Sequence, residues 1–268
     1  MTARLEFTIL GCGSSGGVPR IGNIWGACDP AEPRNRRLRC ALLVRRIAET
    51  GVTTVLVDTG PDLRQQLLNA HVTDLDAVIY THAHADHVHG IDDLRAIAIT
   101  HRRRVDVYLD TPTSLKVHEA FGYVFKTPEG SNYPPILNEH RIDQDTAFVI
   151  DGAGGAIEFQ PVKVGHGEID ALGFKVRNVV YLPDVKEITP NAEPHFRDLD
   201  IWILDALRHT HHPSHLSLSE ALEWIKHLAP KHAILTNMHI DLDYRTLRAE
   251  LPGNIEPAYD GLTFSVDA

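Results

Sequence analysis

The stretch Tyr80–Gly90, YTHAHADHVHG, decides the fold and the chemistry that this sequence predicts. It places His82, His84, Asp86 and His87 within six consecutive positions. Imidazole and carboxylate groups suit zinc, manganese or iron, and four of them exceed what one tetrahedral ion with an open position takes. We therefore predict two adjacent metal ions; the competing interpretation is a solvated loop that is merely rich in histidine.

Three further candidate ligands also come shortly after predicted strands. The stretch directly follows Ala77–Tyr80 (AVIY), a short aliphatic run typical of a buried strand, and precedes Ile91–Ile99, which has helical spacing. His166 follows FQPVKV, Asp184 follows VVYLP, and His239 follows AILTNM. A single histidine after a strand is usually a hydrogen-bonded structural residue, but the joint pattern favours a shared site. We expect the strands to deliver these side chains to the same sheet edge.

Strand and helix signals recur in two strand-rich halves. Further strands are predicted at 5–10, 41–45, 53–57, 105–109, 156–164, 173–176, 179–182, 201–204 and 233–235. Further helices are predicted at 61–70, at 113–121 with Thr111 or Thr113 as cap, and at 217–228 with Ser217 or Ser219 as cap. Residues 122–145 have the composition of a long functional loop. Without repeats or low-complexity tracts, the sequence predicts one α/β domain, residues 1–268, with two packed sheets.

Composition excludes several classes of protein. The 268-residue chain is 43% hydrophobic and 23% charged, which is a globular balance. Its formal net charge of −10 disfavours a large nucleic acid as partner. The three cysteines form no close pair, so a reducing cytoplasm fits better than a disulfide framework. No apolar run approaches the roughly 18 residues of a membrane span, so we expect no membrane partner, and homodimer formation is left open.

Two further features have more than one interpretation. Gly11, Gly13 and Gly16 match a dinucleotide-binding fingerprint, but Pro19 and Gly22 interrupt the helix that such a motif needs, so we predict a tight turn. The remaining features are a basic run and several loop aromatics, which suit either substrate contact or a solvated surface: Arg34, Arg36, Arg37, Arg39, Trp25, Phe125 and Tyr133.

The histidine-rich stretch resembles the HxHxDH signature of the metallo-β-lactamase superfamily, and the three later residues match the remaining ligand positions of that family in order and approximate spacing. The resemblance spans nearly the whole chain and implies an αββα sandwich, with two mixed β-sheets flanked by helices. It also implies two ligand sets that share one carboxylate: His82, His84 and His166 for one metal, Asp86, His87 and His239 for the other, and Asp184 bridging both.

The opening ILGCGSSGGVPR, residues 9–20, resembles the glycine-rich start of the PhnP-type cyclic phosphodiesterases and of a pyrroloquinoline quinone biosynthesis protein. A bridging Asp184 is also similar to the phosphodiesterases. Their histidine ahead of the last helix is matched by His215 in HHPSHLSLSEA, which the resemblance implies is a general acid, since imidazole can protonate a departing alkoxide. Cys28 stands alone in IGNIWGACD, where those enzymes have several cysteines for a structural zinc.

These features predict a dinuclear metal-dependent phosphodiesterase of the cytoplasm that acts on small nucleotide-like or cyclic phosphodiesters. Two divalent ions, zinc or manganese, would activate a water molecule and neutralise the phosphoryl oxygens. Asp86 would orient the nucleophile while it ligates its metal, and His215 would protonate the leaving oxygen. Two alternatives stay open: hydrolysis of carboxylic esters, thioesters or lactams, and a non-catalytic nucleotide-binding or cofactor-biosynthesis carrier module.

Overall fold

The computed structural model describes residues 3–268, which form 14 strands and six α-helices. The strands are β1 (Arg4–Gly11), β2 (Ala41–Ala48), β3 (Gly51–Val57), β4 (Ala77–Ile79), β5 (Val105–Leu109), β6 (Leu137–Arg141), β7 (Phe148–Ile150), β8 (Ile157–His166), β9 (Ile169–Val176), β10 (Val179–Leu182), β11 (Ile201–Asp205), β12 (His232–Thr236), β13 (Ile255–Pro257) and β14 (Thr263–Asp267). The α-helices are α1 (Leu63–Asn69), α2 (Ala85–Val88), α3 (Leu94–His101), α4 (Thr111–Phe121), α5 (Leu218–Leu228) and α6 (Tyr244–Glu250). None of the helices in residues 3–268 is long and apolar enough to cross a membrane.

Both sheets have seven strands and mixed pairing. The first has the order β14-β1-β2-β3-β4-β5-β6, with β3 to β6 parallel. The second has the order β13-β12-β11-β10-β9-β8-β7, with β10 to β13 parallel. The other neighbouring strands pair antiparallel. In each sheet, therefore, a run of parallel strands has its carboxyl ends at one edge.

Alternation along the strands gives the first sheet two apolar faces. Leu42 on β2 belongs to the buried cluster between the sheets, whereas the next residue, Leu43, belongs to the cluster under the helices. That second cluster includes Leu63 of α1, which covers the outer face. Ile225 of α5 and Leu247 of α6 pack against the second sheet. The layers are helix, sheet, sheet and helix, which confirms the predicted αββα sandwich.

The structure corrects two local predictions. Helix α4 begins at Thr111, and its N-cap is Asp110, whose carboxylate accepts a hydrogen bond from the backbone N–H of Thr113 at 3.0 Å. Thr111 and Thr113 as caps are therefore wrong, because both residues lie inside the helix. The predicted loop 122–145 contains β6, which pairs in parallel with β5 at the edge of the first sheet. The β6 sequence LNEHR is mostly polar, and so it gave no strand signal.

Asp243 connects α6 to the loop that follows the first strand. Its Oδ1 accepts from the backbone N–H of Thr246 at 2.9 Å, which caps the helix. Its Oδ2 accepts from Asn35 Nδ2 at 2.6 Å and from the backbone N–H of Asp29 at 3.1 Å. Burial raises the pKa of Asp243, but these hydrogen bonds outweigh burial and lower it to about 2.

We expect Asp243→Ala to lower the free energy of unfolding by about 1–2 kcal/mol near neutral pH, the range for a lost N-cap. Because the pKa of this carboxyl is depressed in the folded state, its contribution is present above the unfolded value of about 4 and is lost as the pH falls toward 2. Thermal unfolding at neutral pH and at about pH 3 measures the difference, which should narrow in acid.

Asp93→Ala is the matched control, because Asp93 stands at the N-cap of α3 without a side-chain cap bond. It should cost less than about 0.5 kcal/mol, as surface substitutions usually do. Equal losses in the two variants, or a loss in Asp243→Ala that does not change with pH, would contradict the assignment.

Candidate metal centre

The site lies where strands of both sheets end. Asp58 directly follows β3, Asp184 follows β10 by two residues, and His239 follows β12 by three residues. The backbone N–H of Leu172, on β9, donates to the carbonyl of Thr81 at 2.9 Å and joins the two sheets at this edge. Chain positions that are far apart in the sequence therefore meet at one edge, as their shared position after strands predicts.

Four side chains form a group that could hold a metal ion: His82, His84, His166 and Asp184, with one ligand atom of each lying within 4.8 Å of the others. Asp184 Oδ2 is 3.6 Å from His82 Nε2 and 3.4 Å from His166 Nε2. His82 Nε2 is buried and finds no hydrogen-bond partner in the described chain. A buried polar atom without a partner is costly unless it binds something, so these residues fit a divalent cation.

Asp86 and His87 extend this group through Asp184. His87 Nε2 lies 3.3 Å from Asp184 Oδ1 and 3.6 Å from Asp86 Oδ2. Asp184 thus turns one oxygen toward His82 and His166 and the other toward His87, which is the orientation that a bridging carboxylate needs. His84 is the N-cap residue of α2, so Asp86 and His87 lie in the first turn of that helix.

His239 lies apart from the other six predicted ligands. Its Nδ1 is 2.8 Å from Asp241 Oδ1, and its Nε2 contacts Nη2 of Arg20. Within residues 3–268 it makes no hydrogen bond, ion pair or ring contact with those six. The bond to Asp241 leaves Nε2 as the acceptor nitrogen, which is the form that a metal ligand requires. A role for His239 in the second ligand set stays a prediction.

The protonation states of His82, His84, His166 and Asp184 suit metal binding. Burial lowers the pKa of His82, and the charges of neighbouring histidines lower it further. Burial also lowers the pKa of His84 and of His166, so these imidazoles are neutral and can act as ligands. Burial raises the pKa of Asp184, but the charge of His87 and its hydrogen bond outweigh burial and hold this pKa well below its usual range.

Asp58 is a site residue that the sequence analysis missed. It is buried, and its Oδ2 accepts from His87 Nδ1 at 2.7 Å and from Thr81 Oγ1 at 2.8 Å. Its Oδ1 accepts from the backbone N–H of Thr81 at 2.8 Å. This carboxylate fixes the ring of His87 with Nε2 toward Asp184. The available signal was position, because Asp58 directly follows the predicted strand 53–57.

We expect Asp58→Asn to weaken metal binding about 10- to 100-fold, the usual cost of losing a carboxylate that orients a ligating histidine. Calorimetric titration with zinc or manganese measures the change. Asp106→Asn is the matched control, because Asp106 also bonds a histidine, His140, at 2.8 Å, but in an exposed pair on β5 and β6. Wild-type metal affinity in Asp58→Asn would show that His87 needs no such partner.

His215 stands beside the cluster with a carboxylate behind it. Its Nε2 is 3.9 Å from Asp184 Oδ2, and its Nδ1 is 2.8 Å from Asp205 Oδ2. Burial lowers the pKa of His215, but the charge of Asp205 and its hydrogen bond outweigh burial and raise it to about 9. A protonated imidazole of this kind can donate a proton next to the metal ligands. Asp205, the last residue of β11, is a second residue that the sequence analysis missed.

The glycine-rich segment forms turns, as predicted. The backbone of Gly13 forms isolated β-bridges with Arg39 and with Met238. A Cβ at Gly11 would overlap the carbonyl oxygen of Arg39, so a residue with a side chain does not fit there. No helix starts in residues 12–32, so the segment lacks the helix N-terminus of a dinucleotide-binding site.

The basic run of residues 34–39 has separate contacts for each side chain. Arg34 pairs with Glu32, Arg36 lies over the ring of Trp25, and Arg39 pairs with Asp62. Arg37 is buried and donates to the carbonyl oxygens of Leu242 at 2.7 Å and His239 at 3.3 Å. Arg37 also lies 3.9 Å from the Sγ of Cys28. A guanidinium therefore joins this loop to the segment after β12.

Comparisons with known proteins give one family and two similar solved structures. The family model described as a beta-lactamase superfamily domain matches residues 53–240. A crystallised diphosphatase of the PhnP family is 34% identical, with a TM-score of 0.86 over 99% of this chain and 98% of that chain. Zn²⁺-bound PqqB from Methylobacterium extorquens, at 15% identity, has a TM-score of 0.73 over 97% of this chain and 99% of that chain, which is a likeness of fold alone.

A relative known by sequence is named for acyl transfer and not for phosphate chemistry. An octanoyltransferase of Porphyromonas gingivalis (strain ATCC BAA-308 / W83) is 31% identical over 264 residues, or 97% of this chain. The chain spans about half, 51%, of the length of that relative.

Proposed function

Because the chain belongs to the β-lactamase superfamily and, within it, to the PhnP family of metal-dependent hydrolases, we propose that it hydrolyses small nucleotide-like phosphate diesters with two divalent cations. One observation carries the proposal. The Nδ1 of His215 lies 2.8 Å from Asp205 Oδ2, and its Nε2 lies 3.9 Å from Asp184 Oδ2. Asp184 belongs to the candidate metal group, which we call the His/Asp group: His82, His84, His166 and Asp184. A proton donor next to a candidate metal group is the combination that promotes cleavage of a phosphate ester whose leaving oxygen needs a proton.

Each residue of the site has a part in the proposed reaction. His82, His84, His166 and Asp184 would hold one cation, and Asp86, His87, His239 and Asp184 the other. Bound zinc or manganese at these groups would neutralise phosphoryl charge and make water more acidic. Asp86 orients the water whose oxygen forms the new bond to phosphorus. As the bond to the leaving oxygen breaks, His215 gives that oxygen its proton, and the proton lost by water restores the imidazolium.

The relatives add to the range of substrates. The name of the PhnP-family diphosphatase supports compounds with two linked phosphates as substrates. In such compounds the leaving group is itself a phosphate. The name of the octanoyltransferase supports acyl chemistry, which is the alternative of ester or thioester hydrolysis. Since that relative is about twice as long as this chain, its activity carries less weight for this site than the PhnP-family neighbour.

The test compares substrates on the metal-loaded protein. The compounds are bis(p-nitrophenyl) phosphate, 2′,3′-cyclic nucleotides, a dinucleoside diphosphate and p-nitrophenyl octanoate. We expect at least one phosphate compound to be cleaved with a higher kcat/KM than the octanoate ester. Faster cleavage of the ester would favour the acyl hydrolase, and nucleotide binding without any cleavage would favour the carrier module.

A further inference from the structure

The guanidinium of Arg20 contacts His239, one of the predicted metal ligands, from the glycine-rich turn. The backbone of Arg20 pairs with that of Ile24 in both directions, at 3.0 and 3.2 Å, which fixes where the side chain starts. A Cβ on Gly16 would lie 3.2–3.6 Å from the Nε, Cγ and Cδ atoms of Arg20, so the side chain runs along the face of that glycine. Arg20 is solvent-exposed but has a defined direction.

No carboxylate of residues 3–268 pairs with the positive charge of Arg20. In the described part of the chain it makes no ion pair, whereas Arg34 and Arg39 of the same loop each pair with one carboxylate. Its Nη2 contacts His239 Nε2, and the Nδ1 of that ring lies 2.8 Å from Asp241 Oδ1. A phosphate group carries negative charge and can accept two parallel N–H bonds from a guanidinium, so an anion at this position is a stronger partner for Arg20 than an imidazole nitrogen.

We propose that Arg20 binds the second phosphate of substrates with two linked phosphates, and that it thereby selects diphosphates over simple phosphodiesters. The inference rests on the proposed function, in which the first phosphate is attacked at the His/Asp group. A guanidinium presents N–H groups in a planar fork that matches two phosphate oxygens.

The first test measures selectivity in the full-length, metal-loaded enzyme. For Arg20→Met, we expect the ratio of kcat/KM on a dinucleoside diphosphate to kcat/KM on bis(p-nitrophenyl) phosphate to fall about 10- to 100-fold, as for a lost hydrogen bond to a charged group. Arg20→Lys keeps the charge without the fork and should fall between wild type and Arg20→Met. Arg36→Met, in the same loop but over Trp25, is the control and should keep the wild-type ratio.

The second test measures binding and does not depend on turnover. Calorimetric titration of the metal-loaded protein with inorganic diphosphate and with inorganic phosphate gives two dissociation constants for each variant. We expect Arg20→Met to weaken diphosphate binding about 10- to 100-fold and to change phosphate binding far less. Metal content, measured by mass spectrometry, should equal that of the wild type.

The outcomes separate this inference from the proposed function. Cleavage of phosphodiesters by the wild type with an unchanged selectivity ratio in Arg20→Met would overturn the role of Arg20 and leave the proposed function standing. Absence of any phosphate cleavage would overturn the proposed function, whereas the role of Arg20 would still be decided by the diphosphate titration. Equal weakening of phosphate and diphosphate binding would show that Arg20 recognises no second phosphate.

Discussion

Asp184→Ala should lower kcat/KM on phosphate substrates at least about 1,000-fold, equivalent to roughly 4 kcal/mol, and should remove most of the bound metal. Four imidazole Nε2 atoms surround this carboxylate, at 3.6 Å for His82, 3.3 Å for His87, 3.4 Å for His166 and 3.9 Å for His215. No other carboxylate among the described residues touches both ligand sets. Its removal therefore takes away the only negative charge that the two proposed cations would share.

Metal content and stability are the measurements that complement activity. Mass spectrometry of the purified variant gives bound metal per chain, and thermal unfolding with and without a chelator gives the stabilisation that metal binding provides. The wild type should be destabilised by the chelator, and Asp184→Ala should not respond. Asp170→Asn is the matched control, because Asp170 is an exposed carboxylate on β9 that pairs with Lys163 at 3.4 Å. A chelator response in Asp184→Ala equal to that of the wild type would overturn the bridging role.

The sequence predicts the central strands well because their signal is local. Strands β2 to β4 contain runs of aliphatic residues in which neighbouring side chains enter opposite clusters, so both faces are apolar there. In β5, Val105, Val107 and Leu109 enter one cluster and alternate with less buried residues. Strands β6 and β14 gave no signal because they are edge strands with polar or half-exposed residues. The pairing of β14 with β1 joins Phe264 to Phe7 across almost the whole chain, and such a contact has no local pattern.

The residues of the candidate site were likewise predicted from two kinds of signal, a local motif and a position at the end of a strand. His82, His84, Asp86 and His87 stand in one short motif, so their spacing alone predicts that they lie together. His166 and Asp184 were predicted from their positions at strand ends. Strands β8 and β10 both pair antiparallel with β9, so they run in the same direction and bring these two residues to the same edge.

The residues that contact His215 and His239 could not be predicted from the sequence. Asp205 and Asp241 are ordinary carboxylates in sequence, and only the folded chain shows that they bond His215 and His239. Arg20 lies 219 positions from His239, and no spacing rule connects them. Motif patterns therefore predict ligands, whereas the groups that orient ligands and select substrates depend on tertiary contacts.

His215→Ala should lower kcat about 100- to 10,000-fold on 2′,3′-cyclic nucleotides, whose leaving oxygen is an alkoxide that needs a proton. The loss should be much smaller on bis(p-nitrophenyl) phosphate, because p-nitrophenolate leaves without protonation. Metal content should be unchanged, since Nε2 of His215 lies 3.9 Å from Asp184 and a bound cation would already have its ligands. The contrast between the two substrates is the signature of a general acid.

Two further variants separate proton donation from a structural role. His211→Ala is the control, because His211 is an exposed neighbour, with Nδ1 3.7 Å from Glu220, and it should keep wild-type kcat on both substrates. Asp205→Asn keeps the imidazole but removes the charge that raises the pKa of His215. It should therefore show a smaller loss than His215→Ala, again confined to the alkoxide leaving group. Similar losses on both substrates would mean that His215 positions Asp184 and does not donate the proton, since only proton donation depends on the basicity of the leaving oxygen.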